Sequence, residues 1–484
     1  MTAVVFIIVL AIFLAIGLSS ARVSTGERED YYLAGGKVSP WLTGLSAIAT
    51  NNSGYMFIGV IGYTYNTGLA SVWLMFGWIL GDFLGSLFIH RRLKHATVDT
   101  HEASFASVLA NWQHGGFAIW RRLAAIVTIV FLVAYAGAQI SAGGKALDGV
   151  LGIDPRAGAV AVALVVVAYS IVGGLRASIW TDAAQSIVMV VAMAILFVVA
   201  LNGVGGVGGA VEKWSEQPGF LDLFPPAMLL PGLGGVVLFV VGWLFAGFSV
   251  VGQPHVMVRF MALDDEKHMV AARAWYYGYF IVFYLLATGV GMLSRLYLPD
   301  LASVDPEMAL PKMAVELLHP ALVGLILAGI FAATMSTADS LVLSCSAAFT
   351  HDLTPNRLEA PWMLKAATLL TTVLALGLAL SGSRSVFSLV ILAWSTLASA
   401  FAPLLSLLAL RRRIGEVSAI ALMVLGVGIA LFWRFGLGWH TNVYEGLPGI
   451  LVPLVIGWFV SRPAAAGDPL AEGAPGQSAV SSQQ

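Results

Sequence analysis

A group of hydroxyl side chains and one carboxylate interrupts the apolar stretch FAATMSTADSLVLSCSAAF at residues 331–349. At about 100° per residue, a helix places Ser336, Thr337 and Ser340 on one arc, with Asp339 at its flank. A single hydroxyl often bonds only the preceding turn, but a carboxylate in an apolar helix is costly and indicates a function. Oxygen ligands suit a small alkali cation, whereas a transition metal favours His or Cys. The stretch therefore predicts a cation site, and Na+ is the ion that we expect.

The carbonyl ligands of such a cation must come from backbone that has left the helix. The stretch GLSAIATNNSGYMFIG at residues 44–59 carries Thr-Asn-Asn-Ser-Gly in the middle of an apolar run. Asn and Ser compete for backbone hydrogen bonds, and Gly is a poor helix former. We therefore predict a break in this helix, and a cation held between the break and the polar arc of the 331–349 helix.

A second interrupted run, GWLFAGFSVVGQPH at residues 242–255, holds three glycines before Pro254. Five predicted helices separate the starts of the two interrupted runs. Paired interruptions at corresponding positions of two halves predict an inverted-repeat transporter with its site at mid-membrane. The alternative is that these glycines only allow helices to pack closely.

Composition places these helices in a lipid bilayer. Hydrophobic residues make up 59% of the 484-residue chain and charged residues only 11%, against roughly 25% charged in soluble domains. The net charge of -1 argues against a nucleic-acid partner, and the single cysteine, Cys345, excludes an internal disulfide framework. We find no phosphate-binding loop and no nucleophile–base set. The sequence therefore predicts a transporter driven by an ion gradient rather than an enzyme.

Thirteen apolar runs are long enough to be spans. The first lacks a positive segment before it, so we expect a retained span rather than a signal peptide. If the N-terminus lies outside, most of the 25 Lys and Arg residues fall on inner segments, as the positive-inside rule requires. We therefore expect a multi-pass protein of a bacterial-type inner membrane with a cytoplasmic C-terminus. The predicted spans lie near 3–21, 41–66, 68–90, 121–143, 157–176, 179–201, 232–253, 271–297, 319–348, 362–382, 386–410, 414–436 and 446–461.

Four long motifs, in order, resemble the sodium/solute symporter family, and most closely the bacterial sodium/proline symporters. The likeness runs over roughly residues 30–410. It implies a LeuT-type fold of two inverted five-helix repeats with peripheral helices, and Na+-coupled uptake of a small solute by alternating access. The motifs are LAGGKVSPWLTGLSAIATNNSG, YSIVGGLRASIWTDAAQ, GQPHVMVRFMA and AATMSTADSLVLSCSAAFTHDL.

This resemblance implies a domain organisation. We expect a short helix at 307–319 over the outer face, and a tail too small and polar to fold. The expected parts are 1–40 as a peripheral first helix and inner loop, 41–201 as repeat one, 202–231 as an outer loop, 232–410 as repeat two, 411–461 as two peripheral helices, and 462–484 as a disordered cytoplasmic tail.

The resemblance also implies the residues of the main sodium site. Its ligands would be the carbonyl oxygens of Ala49, Asn52 and Ala333 and the hydroxyls of Ser336 and Thr337. This set agrees with the polar arc found from helical spacing alone.

A second Na+ is held by some members of the family near the acid that Asp182 matches. Here the second site would use Asp182, Ser336, Asp339 and Ser340. The alternative is that Asp339 only hydrogen-bonds a neighbouring helix, because two close carboxylates would otherwise repel each other.

The solute would bind beside the two helix breaks. Asn51 departs from the proline symporters, which have an aspartate there, and an alignment back from GQPH gives Val250 and Ala246 where those proteins have aromatic residues. Proline is therefore not specified as the solute. The expected solute-binding residues are Asn51, Ser53, Gly54, Tyr135, Gln139, Trp243, Phe248 and Gln253.

Three functions remain open from the sequence. The first is Na+-coupled uptake of an amino acid or related compound. The second is uptake of a monocarboxylate or other organic anion, for which a broken-helix N-terminus could replace a buried Arg or Lys. The third, a transporter-like sensor, is disfavoured because no signalling domain is recognisable. The expected partners are Na+, a small solute and the lipid bilayer, and the oligomeric state stays open.

Overall fold

The computed structural model describes residues 1–20, 28–170, 174–353, 361–381 and 385–464, which are almost entirely helical. Within these residues, nine helical segments are long and apolar enough to cross a membrane, and three shorter apolar helices accompany them. One of the nine, Pro40–Thr100, contains two successive spans. The prediction of an all-α membrane protein with about thirteen spanning helices is therefore confirmed.

The spanning helices are numbered α1 to α13 in chain order, and two of them, α2 and α7, have two halves. Their bounds are α1 Thr2–Ser20, α2a Pro40–Gly54, α2b Val60–Thr67, α3 Val72–Thr100, α4 Ala118–Leu151, α5 Pro155–Ser170, α6 Leu175–Gly203, α7a Gly232–Phe248, α7b Pro254–Met261, α8 Met269–Tyr297, α9 Pro320–Ala347, α10 Pro361–Leu380, α11 Val386–Ala409, α12 Glu416–Leu431 and α13 Gly446–Val460. Shorter helices are Arg28–Leu33, Phe105–Asn111, Gly206–Ser215 and Ala309–Leu317, and the strands are β1 Arg412–Arg413 and β2 Arg462–Pro463.

The observed helices extend beyond several of the predicted spans. The fourth run, predicted at 121–143, is the helix Ala118–Leu151, and the seventh, predicted to end at 253, resumes as Pro254–Met261. Helix formation outside the bilayer does not require apolar residues, so an apolar run marks the membrane and not the end of the helix. The short helix expected at 307–319 is Ala309–Leu317.

The C-terminal strand lies at the start of the segment expected to be a tail. Arg412 lies opposite Pro463, and Arg413 lies opposite Arg462. The guanidinium of Arg412 also lies 4.1 Å from the centre of the Trp458 ring. Residues 465–484 of the expected tail lie outside the described residues.

Both α2 and α7 are interrupted in mid-span. In α2, Ser53 has φ 40° and ψ 177°, and a π-helical turn, Tyr55–Gly59, leads into α2b. In α7, the 3-10 turn Ser249–Gly252 is followed by Gln253 with φ -100° and ψ 103°, and Pro254 starts α7b. Proline lacks the N–H that a continuous helix needs, but it fits the first helical position. The break that was predicted in each of these runs is therefore present.

Helices α9 and α11 form the centre of the molecule, and α1 lies at its edge. In the most apolar part of α9 and of α11, 83% of the residues are buried, against 11% in α1. Helix α9 packs against α4, α6 and the unbroken half α2a. The polar arc of α9 is therefore held against the backbone of α2a.

Glycines bring α3 and α7a into backbone contact. A Cβ placed at Gly81 would lie 1.9 Å from the Leu244 carbonyl oxygen, and one at Gly247 would lie 2.1 Å from the Trp78 carbonyl oxygen. Such contacts are typical of small residues between membrane helices. The packing role considered for the glycines of the seventh run therefore holds for Gly247, alongside the break that follows it.

Candidate sodium and solute site

The break in α2 directs its backbone toward α4. The Gly54 N–H donates to Gln139 Oε1 at 2.9 Å, and the Tyr55 N–H donates to Ser53 Oγ at 3.0 Å. A Cβ at Gly54 would lie 2.5 Å from Thr334 Cγ2, so α9 approaches the break as closely as glycine allows. The sequence thus provides a residue without a side chain at the point where three helices meet.

Hydroxyl groups of α9 contact carbonyl oxygens at the end of α2a. The Ser336 hydroxyl lies 3.1 Å from both the Ala49 and the Ala333 carbonyl oxygens, and the Thr337 hydroxyl donates to the Thr50 carbonyl at 2.9 Å. Ser336 and Thr337 are completely buried. The structure therefore brings together four of the five residues that the resemblance implies for the main sodium site.

The fifth residue, Asn52, lies at the break itself. Its carbonyl accepts the Tyr55 N–H, and neither polar atom of its side chain has a hydrogen-bond partner within the described residues. Asn52 is only 1% exposed, and a buried polar group without a partner costs free energy. The donor set is made of oxygens, and it includes hydroxyl lone pairs that are free to bind a cation. It therefore fits Na+ rather than a transition metal.

A buried ion pair lies beside this site. Asp182 Oδ2 on α6 accepts a hydrogen bond from Ser46 Oγ at 2.6 Å, and it lies 3.3 Å from Nη2 of Arg259 on α7b. Arg259 also donates to Ser340 Oγ on α9 and, at 2.5 Å, to the His255 carbonyl. Both charged side chains are 0% exposed. One guanidinium thus joins α2a, α6, α7b and α9.

This ion pair bears on the second sodium site considered above. Asp182 and Ser340 are brought together, but the positive charge between them is the guanidinium of Arg259. Ser336 lies one turn away, with its carbonyl accepting the Ser340 hydroxyl at 2.6 Å. Asp339 is close enough for its charge to affect Asp182. A second cation among these four residues would have to share the site with Arg259.

Five buried side chains lie around the two breaks. The Tyr135 ring lies 5.5 Å from the His255 ring and 6.3 Å from the Trp394 ring, centre to centre. Gln253 Nε2 donates to the Trp394 carbonyl at 3.0 Å, which fastens the break of α7 to α11. Within the described residues, buried atoms without a hydrogen-bond partner here are Gln139 Nε2, Gln253 Oε1 and both ring nitrogens of His255.

Three of the expected solute-binding residues point elsewhere. Asn51 Nδ2 donates to the Tyr276 hydroxyl on α8. Trp243 packs against Tyr63, with 5.8 Å between ring centres, and lines a separate cavity toward one end of the molecule. Phe248 packs on the glycine face of α3 at Gly85. Ser53, Gly54, Tyr135, Gln139 and Gln253 are the expected residues that do meet at the breaks.

Arg259, Trp394 and His255 are members of the site that were not among the residues expected from the sequence. A signal for Arg259 was present, because it is the only charged residue in GQPHVMVRFMA and follows His255 by one helical turn. Its partner Asp182 is 77 residues away in the chain, so only the fold reveals the pair. Trp394 had no comparable signal, since an aromatic residue in an apolar helix usually only packs.

Both ends of the site are closed. Toward one end, the Tyr63 and Phe387 rings stack at 4.7 Å with 3° between their planes. Nearby, Glu307 accepts hydrogen bonds from the first backbone N–H groups of α11, those of Val386 and Phe387, each at 3.0 Å, and from Lys145 Nζ at 2.6 Å. The Asp182–Arg259 pair closes the opposite side. The two helix breaks therefore lie between the stacked rings of Tyr63 and Phe387 and the Asp182–Arg259 pair, and the side chains at the breaks are buried.

Comparison with known proteins places this arrangement in a family. The sodium:solute symporter family matches residues 31–426. The chain is 31% identical to the osmoregulated proline transporter OpuE of Bacillus subtilis, covering 91% of this chain and 92% of the relative. It is 30% identical to the high-affinity proline transporter PutP of the same organism, covering 90% and 93% of the two chains.

Solved structures share the fold. A Na+-coupled sialic acid symporter in a substrate-bound outward-open state superposes with a TM-score of 0.77 at 20% identity, covering 96% of this chain and 99% of that one. MhsT in complex with L-phenylalanine superposes with a TM-score of 0.57 at 14% identity, covering 87% and 98%. The expected LeuT-type fold is therefore confirmed. The chain belongs to the sodium:solute symporter family, and it is a multi-pass membrane transporter that couples the uptake of a small solute to Na+.

Proposed function

We propose that the transported solute is a small zwitterionic amino acid, bound between the breaks of α2 and α7. The observation that carries this proposal is the set of buried polar atoms without partners around the breaks. These atoms include donors and acceptors, so they suit a solute that has both. The rings of Tyr135, His255 and Trp394 lie beside these atoms and would contact the apolar part of the solute.

The polarity of the two breaks supports a zwitterion. The N-terminal end of the second half of α2 carries partial positive charge, and the end of α7a carries partial negative charge, as at any helix ends. Broken helices in transporters use such ends to hold anionic substrate groups and cations. The carboxylate would lie near the start of the second half of α2, within reach of Gln139 Nε2, and the ammonium near the carbonyls of Ser249–Gly252.

The same reasoning disfavours the organic-anion alternative. A monocarboxylate lacks the ammonium group that the carbonyls at the break of α7 would receive, so it would use only one of the two breaks. Arg259 is the buried cation nearest to the breaks among the described residues, and it is paired with Asp182. The relatives named as proline transporters also support an amino acid. Because Val250 and Ala246 stand in α7 where the proline symporters of that likeness have aromatic residues, we expect a neutral amino acid other than proline to be preferred.

We propose that the coupled Na+ binds to the carbonyls of Ala49, Asn52 and Ala333 and to the hydroxyls of Ser336 and Thr337. The resemblance supports this set, and so do the short distances between α2a and α9. The bound ion would be coordinated by the hydroxyls of α9 and by carbonyls of α2a, and would so tie α9 to the broken helix. A solute that binds at Gly54 would then contact an α2 whose position Na+ has already fixed. Na+ binding would therefore favour solute binding, and this would couple the two.

We also propose that the N-terminus lies outside and the C-terminus in the cytoplasm. Arg91 and Arg92 on α3 lie at the same end of the molecule as Arg411, which supports a positive, cytoplasmic end. The proposed repeats, 41–201 and 232–410, each begin with a broken helix. A green fluorescent protein fused to the C-terminus should fluoresce, because that protein matures only in the cytoplasm.

The experiment that tests the solute uses purified protein in liposomes and a panel of radiolabelled compounds. The panel includes proline, other neutral amino acids and monocarboxylates. An inward Na+ gradient should drive saturable uptake of a neutral amino acid, with proline a poorer substrate, and uptake should collapse in K+ or choline. Uptake of monocarboxylates alone, or high-affinity uptake of proline above all others, would contradict the proposed specificity. Equal uptake driven by a proton gradient alone would contradict sodium coupling.

A further inference from the structure

A second cavity, of about 260 Å³, lies far from the solute site, at the end of the molecule where α3 and α11 finish. Three arginines line it, Arg91 and Arg92 from α3 and Arg411 just after α11. Leu87 and Phe88 form its wall on the outer surface of α3. Basic groups and an exposed apolar wall therefore share one cavity.

The arginines of this cavity are not all neutralised. Arg91 Nη2 lies 3.1 Å from Glu266, which also contacts His95 at 3.3 Å. Arg92 donates to the backbone carbonyl of Ala409 instead of a carboxylate. Arg411 makes no ion pair or side-chain hydrogen bond in the part of the chain that the structure describes. One further acid on the cavity wall, Asp99, is exposed to solvent.

Two like charges, those of Arg92 and Arg411, lie in the lining of this cavity. Arg411 is close enough to Arg92 for their positive charges to repel. Arg411 is held in place by its backbone, which has φ 57° and accepts the Ala464 N–H at 2.9 Å. A bound anion would turn this repulsion into two charge-assisted hydrogen bonds, and guanidinium groups match phosphate oxygens in geometry.

The apolar wall indicates where the anion comes from. Phe76, Leu80, Leu84 and Phe88 recur every four residues along α3, so they form one stripe, and they are 56%, 49%, 41% and 55% exposed. The stripe covers about 18 Å at 1.5 Å per residue, roughly half of the 30 Å hydrocarbon core. It therefore matches the length of one leaflet and ends at the arginines.

We propose that this cavity binds the phosphate group of an anionic phospholipid, with the acyl chains lying along the exposed stripe of α3. The shared chemistry is a phosphate group between Arg92 and Arg411, and a soluble phosphate could meet it in the same way. The stripe favours the lipid. This site is separate from the solute site and does not rest on the proposed substrate.

The test is native mass spectrometry of the delipidated full-length protein, titrated with phosphatidylglycerol or phosphatidylcholine. The wild type should retain phosphatidylglycerol in preference to phosphatidylcholine. In the Arg92→Gln/Arg411→Gln variant the affinity for phosphatidylglycerol should fall about 30-fold, since each basic residue near an anionic lipid surface contributes about fivefold. Arg122→Gln is the matched control, because Arg122 is an exposed arginine outside the cavity. It should bind phosphatidylglycerol like the wild type.

Further arms identify the source of the phosphate. Glycerol phosphate and inorganic phosphate should displace the lipid only at far higher concentrations than phosphatidylglycerol binds. If glycerol phosphate binds as tightly as the lipid, the lipid proposal is overturned. Equal binding of the two lipids to the wild type, or unchanged binding to the double variant, would also overturn it. If the double variant does not fold, Arg92→Lys/Arg411→Lys replaces it, and this variant should bind more weakly than the wild type because lysine lacks the planar fork.

Discussion

At the scale of single residues, the site depends on hydroxyl groups of one helix that bond the backbone of another. Thr337 bonds the Thr50 carbonyl on α2a, whereas Thr334, one turn earlier, bonds the Ile330 and Phe331 carbonyls of its own helix. Both side chains are completely buried. The two threonines therefore differ in what they bond and hardly at all in burial, so they form a matched pair for testing the sodium site.

Replacing Thr337 with Val should raise the Na+ concentration for half-maximal uptake by at least about tenfold. The change keeps the shape of the side chain but removes one oxygen ligand, and a hydrogen bond to a charged group contributes about 1.5–3 kcal/mol. Thr334→Val removes an equally buried hydroxyl and should leave the Na+ dependence near that of the wild type. The measurement is initial uptake as a function of Na+ in liposomes. Equal shifts in both variants would remove Thr337 from the ion site.

The Asp182–Arg259 pair makes a second residue-scale prediction, this time for stability. Arg259→Met should lower the free energy of unfolding by about 3–5 kcal/mol, because the buried carboxylate loses its partner. Replacing both residues, as Asp182→Asn/Arg259→Met, should recover most of the loss. Thermal denaturation in detergent measures both effects. A double variant less stable than Arg259→Met would show that the two side chains do not act as a pair.

The sequence could predict the polar arc of α9 because helical spacing alone brings Ser336, Thr337 and Ser340 together. It could not predict the pairing of Asp182 with Arg259, since nothing local connects two residues on separate helices. Trp243 was expected at the solute site, but its ring packs against Tyr63 instead. Which side chains of α7 face inward depends on how many of its residues are unwound. The extent of this unwinding depends on packing against neighbouring helices, so it cannot be inferred from residue types alone.

At the scale of elements, the break of α2 and its contact with α9 form a single unit. The sequence predicted both breaks from Asn, Ser, Gly and Pro, whose backbone preferences are local. It did not predict that α7 resumes as Pro254–Met261, because an apolar run ends where polar residues begin, whether or not the helix continues. The close contact between α2 and α9 at Gly54 can be tested by a small substitution.

Gly54→Ala should abolish most Na+-driven uptake. The added Cβ would lie 2.5 Å from Thr334 Cγ2, so α9 and the broken helix would have to separate. Adding Thr334→Ser removes the methyl group that the new Cβ would clash with, so the double variant should regain part of the uptake. Uptake assays with surface levels matched by immunoblot measure this. Gly278→Ala is the control, because a Cβ at Gly278 meets nothing within 4 Å. Wild-type uptake in Gly54→Ala would show that the close approach is not needed.

At the scale of the whole molecule, coupling depends on how many cations the centre holds at once. Arg259 already places a positive charge between Asp182 and Ser340, and this position overlaps the second sodium site implied by the resemblance. The main site between α2a and α9 needs no such sharing. The geometry therefore favours one Na+ for each solute.

Reversal potentials in liposomes should give a ratio of one Na+ per solute, and the ratio should stay at one in Asp339→Ala. The physical reason is that a guanidinium and a second Na+ would repel each other in a low-dielectric site. A ratio near two in the wild type that falls toward one in Asp339→Ala would contradict this. It would instead assign a second ion to Asp182, Ser336, Asp339 and Ser340.

The single cysteine has a practical consequence for following the transport cycle. Cys345 is buried in α9, so thiol reagents added to the closed protein meet no exposed native target. A pair of cysteines introduced on exposed positions of α3 and α12 can thus carry spin labels with little background from the native chain. Distances between such labels, measured by pulsed electron resonance with and without Na+, would report any movement of α3, and of the α7a helix packed on it, relative to α12.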